Sequence, residues 1–566
     1  MKKLVECVPN FSEGRDKQKI DDIVNHISTV SGIIVLDVDP GEDTNRTVVT
    51  IVGEPEALGE AAFQGIKRAS EILDMSQHTG THPRMGATDV CPFIPISGVS
   101  DEECIELSKD VGKRVGNELG IPIYLYEKSA QSDHRIKLPH IRKGEYEGLA
   151  NKLKDPKWQP DFGPAKFHKK AGASIIGCRE FLIAYNINLN TKDHRLATDI
   201  AFELREVGRS KRIPNPKSKN LLDGEIVRQK DGKPVKVPGM FNDVKGIGWY
   251  VDVFKRAQIS INFNNYKVST IHDVFDAACK LAEERGIRVT GSELVGLIPL
   301  EAMVMAGEHY LKKQNRSIGI PTVDIVECAV QSLGLNDVTP FIPKVKIIDF
   351  AVQDDNRSLM SMTGKGFVKE LSRNSPAPGG GSVSALAGSL GAGLSSMVAA
   401  LTHEKKEMLD SKPKMDEIGI EAQSLIERLT FLVDEDTNAF NSVIDANRLP
   451  GTTKDEQKAK AKAVDAANKY AIEVPLETAE LCFRVIELAE ILVEKGNPNS
   501  VSDAGVAAEI ALAGVNGAGM NVLINLAEVD DNIYCEAKRQ DMEDLLVKAK
   551  TLGKVVFEKT IKVIES

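Results

Sequence analysis

The spacing of apolar residues changes character once along this chain, and that change limits the folds open to it. Up to about residue 361, short apolar or alternating runs suited to strands are interleaved with helical stretches. From Gly366 to Ser566 strand signals almost vanish, and Ala, Leu, Glu and Lys recur at helical spacing. The first pattern predicts α/β structure and the second an all-α domain. A chain of 566 residues has room for roughly three or four domains.

Within the α/β part the order of elements repeats. Leu4–Val8 reads as a strand, Asp16–Ile27 as a helix, Ile33–Val38 and Thr47–Val52 as strands, and Pro55–Leu73 as a helix. Asp89–Pro95 reads as a buried strand, followed by a helix at Asp101–Leu119 and a strand at Ile121–Tyr126. This is a βαββαβ order with a further αβ, the split-βαβ class. A long strand within Ser174–Asn188 opens a second round. A helix at Asp193–Val207, strands at Val244–Val251 and Gln258–Phe263, a helix at Ile271–Arg285 and an extended Val289–Leu297 complete it. The two rounds share element order but little sequence, so the repeat is topological. Arg209–Pro238 reads as a long surface loop. Pro340, Pro343 and the polar run Gln353–Ser358 mark a connector.

Composition narrows the function. A net charge of −10 excludes a general nucleic-acid binder, while leaving room for a local basic patch. The eight cysteines show no CxxC pair and no ligand spacing. That fits reduced thiols in a cytosolic protein without structural zinc. The apolar start of the chain breaks at Pro9, too early for a signal peptide. Asn374–Thr402 has no charged residue, but its prolines, glycines and small residues favour a closely packed helix over a membrane span.

The chemistry concentrates in a few stretches. His78-Thr-Gly-Thr-His82-Pro-Arg-Met-Gly-Ala87 carries two of the ten histidines and runs into the strand from Asp89. Gly80, Pro83 and Gly86 prevent a regular helix there. Titratable groups on a shaped loop beside a rigid strand suit catalysis; the alternative is a turn whose histidines make structural hydrogen bonds. In the helical part, Ser372–Ser382 is a donor-rich loop with Ser375, Gly379 and Gly380, feeding a helix. Its backbone N–H groups suit an anion or a heterocycle, or it is a linker and cap. In Glu421–Ala446 the stripe Leu425, Leu429, Leu432, Asp436, Phe440, Val443 places a carboxylate on the core-facing side, whereas Glu435 lies off it and reads as solvated. Desolvation raises such a carboxyl's pKa toward the range a general acid needs; a tie between two helices is the alternative. Asp503 is either a helix N-cap or a ligand contact.

These motifs, in this order, resemble the formimidoyltransferase–cyclodeaminase family over nearly the whole chain. The resemblance is carried by Val8–Gly14, Thr44–Thr47, His82–Gly86 with Asp89–Pro95, Ile141–Glu147, Pro160–Pro164 and Phe181–Asn188. It continues through Gly246–Tyr250, Pro376–Ser382 and Val433–Phe440. It implies two transferase subdomains near 1–180 and 181–327, a linker at 328–361 and a helical deaminase domain at 362–566. It implies His82 and Asp436 as the catalytic residues. It also implies a folate-binding segment on Gly163, Pro164, Ala165, Lys166, Phe167, His168, Lys169, Lys170, Ala171 and Gly172, whose lysines suit an anionic folate tail.

The activity implied is transfer of a formimino group from N-formimino-L-glutamate to tetrahydrofolate, then cyclisation to 5,10-methenyltetrahydrofolate with loss of ammonia, in cytoplasmic histidine degradation. Tetrahydrofolate is a cosubstrate and no metal is expected. Formyl transfer, a cyclohydrolase role for the helical domain, or a non-catalytic folate-binding protein are the alternatives. Asp39 and Asp89 are candidates to orient His82, and Arg46, Arg84 and Arg135 to hold substrate carboxylates. Asn10, Ser375, Gly379, Gly380 and Asp503 are further contact candidates. Helices at Gly381–Leu401 and Val506–Leu526 are rich in small residues, including Gly388, Gly391, Gly393, Gly514, Gly517 and Gly519. These permit close packing within a domain or between subunits. With the resemblance, the expectation is a homo-oligomer built from dimers through the helical domains.

Overall fold

A computed structural model describes residues 3–352 and 358–566 of the chain. Most of the run Gln353–Ser358 therefore lies outside the described residues. The fold divides into two compact units, Met1–Ala302 with Leu333–Gln353, and Met303–Ser332 with Asp354–Ser566.

The first unit contains two sheets of one topology. Its elements are β1 (Leu4–Cys7), β2 (Asn10–Phe11), α1 (Lys17–Ser28), β3 (Ile33–Gly41), β4 (Arg46–Gly53), α2 (Pro55–Ile72) and β5 (Thr88–Ser97). They are followed by α3 (Asp101–Leu119), β6 (Ile123–Leu125), α4 (Leu138–Arg142), α5 (Glu145–Lys152) and β7 (Ser174–Cys178). β5, β1, β4 and β3 lie side by side and antiparallel. This is the fourth–first–third–second strand order of a split βαβ unit. β2 resumes the line of β1 between β4 and β5, after Pro9, which has no N–H to give. β7 adds in parallel to β5, and β6 to β7.

The second sheet is built from β8 (Ile183–Leu189), α6 (His194–Leu204), β13 (Val244–Val251), β14 (Arg256–Phe263), α7 (Ile271–Glu284) and β15 (Val289–Val295). The order β15–β8–β14–β13, all antiparallel, repeats that of the first sheet. Between α6 and β13 run β9 (Arg209–Ser210), β10 (Arg212–Ile213), β11 (Glu225–Ile226) and β12 (Lys236–Val237).

Two expectations need correction. Ser174–Asn188 is not one strand: β7 belongs to the first sheet and β8 to the second, and Arg179–Leu182 carries the chain across, with Phe181 buried. The polar pair Arg179-Glu180 is the break between them, too short to read from sequence as a passage from one sheet to another. The interval Arg209–Pro238 is also not a plain loop, because β10 pairs β11 and β12 pairs β9. Two-residue ladders leave too short an alternation to read from sequence.

The faces of the first sheet differ in chemistry. Val5, Cys7, Val49, Ile51, Cys91 and Phe93 enter the core shared with the helices on one side. The opposite face takes the alternate residues, Glu6, Asn10, Arg46, Val48 and Thr50.

The remaining helices are α8 (Leu300–Lys313), α9 (Thr322–Leu333), α10 (Pro343–Lys346), α11 (Ile348–Ala351), α12 (Gly364–Leu371) and α13 (Gly380–Glu404). They continue with α14 (Lys412–Arg448), α15 (Lys454–Lys495), α16 (Val501–Asn525) and α17 (Asn532–Ile564). α13 to α17 share one apolar core. Their glycines are used inside the bundle. A Cβ on Gly388 would come within 2.3 Å of the Cys482 sulfur, and one on Gly391 within 2.8 Å of the Ala507 carbonyl. Gly514 and Gly517 press likewise on Ser384, and Gly519 on Met542 and Leu546. Only Gly393 of those six faces open space. Two helices, Gly380–Glu404 and Pro498–Glu528, are long and apolar enough to cross a membrane by length and composition.

The loop before β5 is stitched down by backbone bonds. Ala87 N–H donates to the Ala171 carbonyl at 2.8 Å and Ala173 N–H to the Met85 carbonyl at 3.1 Å, with Gly86 bridged to Gly172. A Cβ on Gly86 would lie 2.3 Å from the Ala173 carbonyl oxygen, which is backbone and cannot move aside. Gly86→Ala is expected to destabilise the first unit by roughly 2–3 kcal/mol, read as a lower urea midpoint for its transition.

Candidate active sites

His82 sits half-buried on this stitched loop, above the polar face of the first sheet. Arg46, on β4, donates from one Nη1 to the Asn10 side-chain oxygen at 2.8 Å and to His82 Nε2 at 3.1 Å. A guanidinium only donates, so Nε2 must be the unprotonated nitrogen and the ring proton lies on Nδ1. Burial lowers the His82 pKa, and the nearby Arg46 and Arg142 charges lower it further; Asp89 acts in the opposite sense. The imidazole is thereby kept neutral, as a general base requires.

Asp89 is fully buried in β5. Its carboxylate accepts the Met85 N–H at 2.8 Å and pairs with Arg142 of α4. Met85 is two residues past Pro83, so this bond fixes the exit of the histidine loop. Ser12 holds the same loop from the other side, through its hydroxyl to the Gly86 carbonyl at 2.7 Å and its N–H to Ala87. His78 has a structural setting: its Nε2 donates to the Asn45 carbonyl at 2.9 Å while Nδ1 accepts from Arg84 at 3.2 Å.

In the helical unit the glycine-rich loop and the half-buried Asp436 carboxylate form one site. The Asp436 carboxylate of α14 accepts the Ser382 N–H at 2.9 Å and the Ser382 hydroxyl at 3.1 Å, at the first turn of α13. The anion at this helix start is thus the protein's own carboxylate. Gly381 lies flat against it, and a Cβ there would fall 2.0 Å from a carboxylate oxygen. Desolvation raises the Asp436 pKa, and the two Ser382 bonds act against that. Asp434 and Glu435 are used differently. Asp434 accepts the Ser358 hydroxyl and the Leu359 N–H, each at 2.7 Å. Glu435 is not simply solvated as expected: it is half-buried and receives the Tyr470 hydroxyl from α15.

Residues 4–179 match the family model of the formiminotransferase domain, N-terminal subdomain; residues 184–353 match that of the formiminotransferase domain, and residues 363–544 that of formiminotransferase-cyclodeaminase. A formimidoyltransferase-cyclodeaminase of Dictyostelium discoideum is 44% identical over 564 residues, covering 99% of either chain. The chain belongs to this family. A glutamate formimidoyltransferase of Streptococcus pyogenes serotype M1 is 38% identical over 56% of this chain and 95% of its own. A methenyltetrahydrofolate cyclohydrolase of Methylorubrum extorquens is 38% identical over 34% of this chain and 92% of its own.

Of the residues singled out in the sequence, Asn10, Arg46, His82 and Asp89 come together. Asp39, exposed on β3 across from Val48, adds negative charge near Arg46 without a bond. Arg84 and Arg135 are engaged elsewhere. Arg84 binds Glu145 and Glu147 at 3.0 and 2.6 Å, and Arg135 binds Asp161 at 3.0 Å and two backbone carbonyls. Of the three arginines, Arg46 alone has no carboxylate partner among the described residues.

The segment Gly163–Gly172 lies along the histidine loop through the Ala87–Ala171 seam. Lys166 and Lys169 are exposed, the Lys170 amine donates to the Glu71 carbonyl, His168 accepts the Ala171 N–H at 2.9 Å, and Phe167 packs on Tyr146. In the helical unit Gly379 caps α13 and Gly380 lies beside Asn521, while the exposed Ser375 bonds within its own turn to Ala377. Asp503 is in the first turn of α16. α13 and α16 run antiparallel, Ser384 against Gly514 and Gly391 against Ala507, which puts Asp503 at the far end of α13 from Asp436. Arg142, within the string Ile141–Glu147, carries no local sign of its role, because its partner Asp89 lies 53 residues away.

Removing the Arg46 charge should raise the His82 pKa. Arg46→Met is expected to move the acid limb of the transferase pH–rate profile to higher pH and to raise KM for the carboxylate-bearing donor. An unmoved acid limb would show that another group titrates there.

Proposed function

We propose that this chain carries out both reactions of its family, each in its own unit. In the first unit, N5 of tetrahydrofolate attacks the formimino carbon of N-formimino-L-glutamate. His82 takes the proton that N5 loses and returns it to the glutamate nitrogen as that C–N bond breaks. The observation that carries this reading is the pairing of a neutral His82 with an Arg46 that lacks a carboxylate partner. A glutamate carboxylate drawing Arg46 to itself uncovers the Nε2 lone pair, so donor binding prepares the base. Asn10 holds Arg46, Asp89 steadies the loop, and the Gly163–Gly172 segment with its exposed Lys166 and Lys169 receives folate.

In the helical unit N10 attacks the formimino carbon of 5-formiminotetrahydrofolate. A new C–N10 bond forms as the N10 proton passes to the formimino nitrogen, Asp436 gives that nitrogen a second proton, and its C–N bond breaks to release ammonia and leave 5,10-methenyltetrahydrofolate. Ser382, Gly379 and Gly380 shape that site. The likeness to a cyclohydrolase supports a second reading for this unit, in which water attacks the methenyl carbon in the same pocket. Neither reading uses a metal. We place the chain in the cytoplasm, in histidine breakdown.

The helical unit also leaves apolar surface uncovered. Val383, Leu390, Met397 and Leu401 form an exposed stripe on α13, with Leu390 52% exposed. Val506, Met520 and Ile524 are likewise exposed on α16, with Met520 70% exposed. With the glycines used internally, this stripe is the surface on which helical units pair across a two-fold axis in a homo-oligomer.

Protein mixed with formiminoglutamate and tetrahydrofolate should release ammonia and develop methenyltetrahydrofolate absorbance. His82→Ala should abolish transfer yet leave cyclisation of supplied 5-formiminotetrahydrofolate. Asp436→Asn should do the reverse, and normal methenyltetrahydrofolate formation by that variant would remove Asp436 from the chemistry. In light scattering, Leu390→Asp with Met520→Asp should reduce the size of the assembly; an unchanged mass would place the interface elsewhere.

A further inference from the structure

Glu6 plays no part in either site as described, and its surroundings are unusual for a carboxylate. It lies in β1 and is 4% exposed. Buried charges are ordinarily paired, because leaving water uncompensated costs several kcal/mol. Yet among the described residues the Glu6 side chain has no hydrogen bond and no ion pair. The Arg179 charge acts on it only at a distance, and one Arg179 Nη1 donates at 2.8 Å to the Glu180 carbonyl. Burial pushes the Glu6 carboxyl up to about 7.

The register places this carboxylate with respect to His82. Glu6 pairs with Val52 on β4 and Ile94 on β5, while Asn10 pairs with Val48 and Val90 on the same two strands. Both steps are four residues, so Glu6 and Asn10 project from one face of the sheet, about 13 Å apart along it. Asn10 holds Arg46, and Arg46 holds His82. The neighbours Val5 and Cys7 point the other way, into the helix-side core. An unpartnered, buried acceptor therefore stands on the sheet face from which Asn10 and Arg46 reach the candidate base.

We propose that Glu6 binds the 2-amino-4-oxopyrimidine edge of tetrahydrofolate in the transferase unit. That edge presents two donors side by side, N3–H and the 2-amino group, in the same manner as an arginine fork. A carboxylate takes both at once, and such paired, charge-assisted bonds are the strong ones. N5 lies in the second ring of the same rigid bicycle, so anchoring this edge at Glu6 fixes where N5 falls. The ligand supplies the partner that the fold withholds, and the desolvation cost is offset only when folate is bound.

The inference rests on tetrahydrofolate being the cosubstrate, and the experiment separates the two. Binding of 5-formyltetrahydrofolate and of its analogue without the 2-amino group is measured calorimetrically on the full-length wild-type protein and on Glu6→Gln, with transferase kinetics alongside. Loss of the paired charge-assisted bonds should weaken binding of the parent compound to Glu6→Gln about ten- to hundredfold. KM for tetrahydrofolate should rise with it, while KM for formiminoglutamate stays within about twofold. The analogue should bind wild type about as weakly as the parent binds the variant, and should lose little more in the variant. Equal affinity of wild type for parent and analogue overturns the proposal whether or not Glu6→Gln folds, as does unchanged parent binding by a folded Glu6→Gln. If wild type binds neither folate, the functional reading itself fails.

Discussion

The first unit depends on a carboxylate that water does not reach. Asp89 has nowhere to release its charge except into the Met85 N–H and the Arg142 guanidinium. A buried ion is tolerated only when so satisfied, and removing one partner of such a pair typically costs about 3–5 kcal/mol. The consequence is geometric. The histidine loop cannot lift from β5 without stranding Asp89, and α4 cannot swing away without doing the same. A flexible loop containing two glycines thereby becomes a fixed platform. The same pair sets the field at His82, where Arg142 opposes protonation of the ring and Asp89 favours it. With Arg46 also beside the ring, the cationic side prevails.

Close packing does the equivalent work in the helical unit. Gly381 has no side chain because the Asp436 carboxylate occupies that space, and Ser382 follows with two donors. Gly388, Gly391 and Gly514 let α13 settle against α15 and α16. This packing sets the position of the first turn of α13 relative to α14. A dense interior transmits such placement because it has little free volume to absorb a shift. The position of the carboxylate is thus an outcome of glycines up to ten residues further along α13 than Gly381, and of Gly514 on α16.

Much of this was legible in the sequence. Alternation and helical spacing defined both split-βαβ rounds and the bundle, because one buried face per element leaves a periodic trace. Asp436 was visible as a carboxylate following the stripe Leu425, Leu429 and Leu432, although the buried stripe ends there and Phe440 beyond it is exposed. What the sequence hid is contact across long separations. Nothing local distinguishes Arg46, whose charge stays unmatched, from Arg84 and Arg135, whose partners Glu145, Glu147 and Asp161 lie 26 to 63 residues away. The crossing at Arg179–Leu182 was hidden because its polar part, Arg179 and Glu180, is only two residues long between two buried strands. Nothing local marks Glu435 as engaged, because Tyr470, its partner, lies 35 residues on in a different helix.

The two candidate groups are tuned by one physical effect with opposite signs. Desolvation disfavours whichever form is charged. For the imidazole of His82 it lowers the pKa, and two guanidinium charges add to the effect. For the carboxyl of Asp436 it raises the pKa, and no neighbouring charge shares that work; the Ser382 donors instead restrain it. Both groups are thereby biased to their neutral forms, one able to accept a proton and the other to give one. The difference in surroundings matches the charges each would carry in turn. A protonated His82 would be repelled by Arg46 unless a substrate carboxylate had already neutralised that arginine. An ionised Asp436 would be received by the Ser382 N–H and hydroxyl, which are in place beforehand. The first site is therefore ready to cycle only when its anionic donor is bound, whereas the second is prepared for its product state in advance.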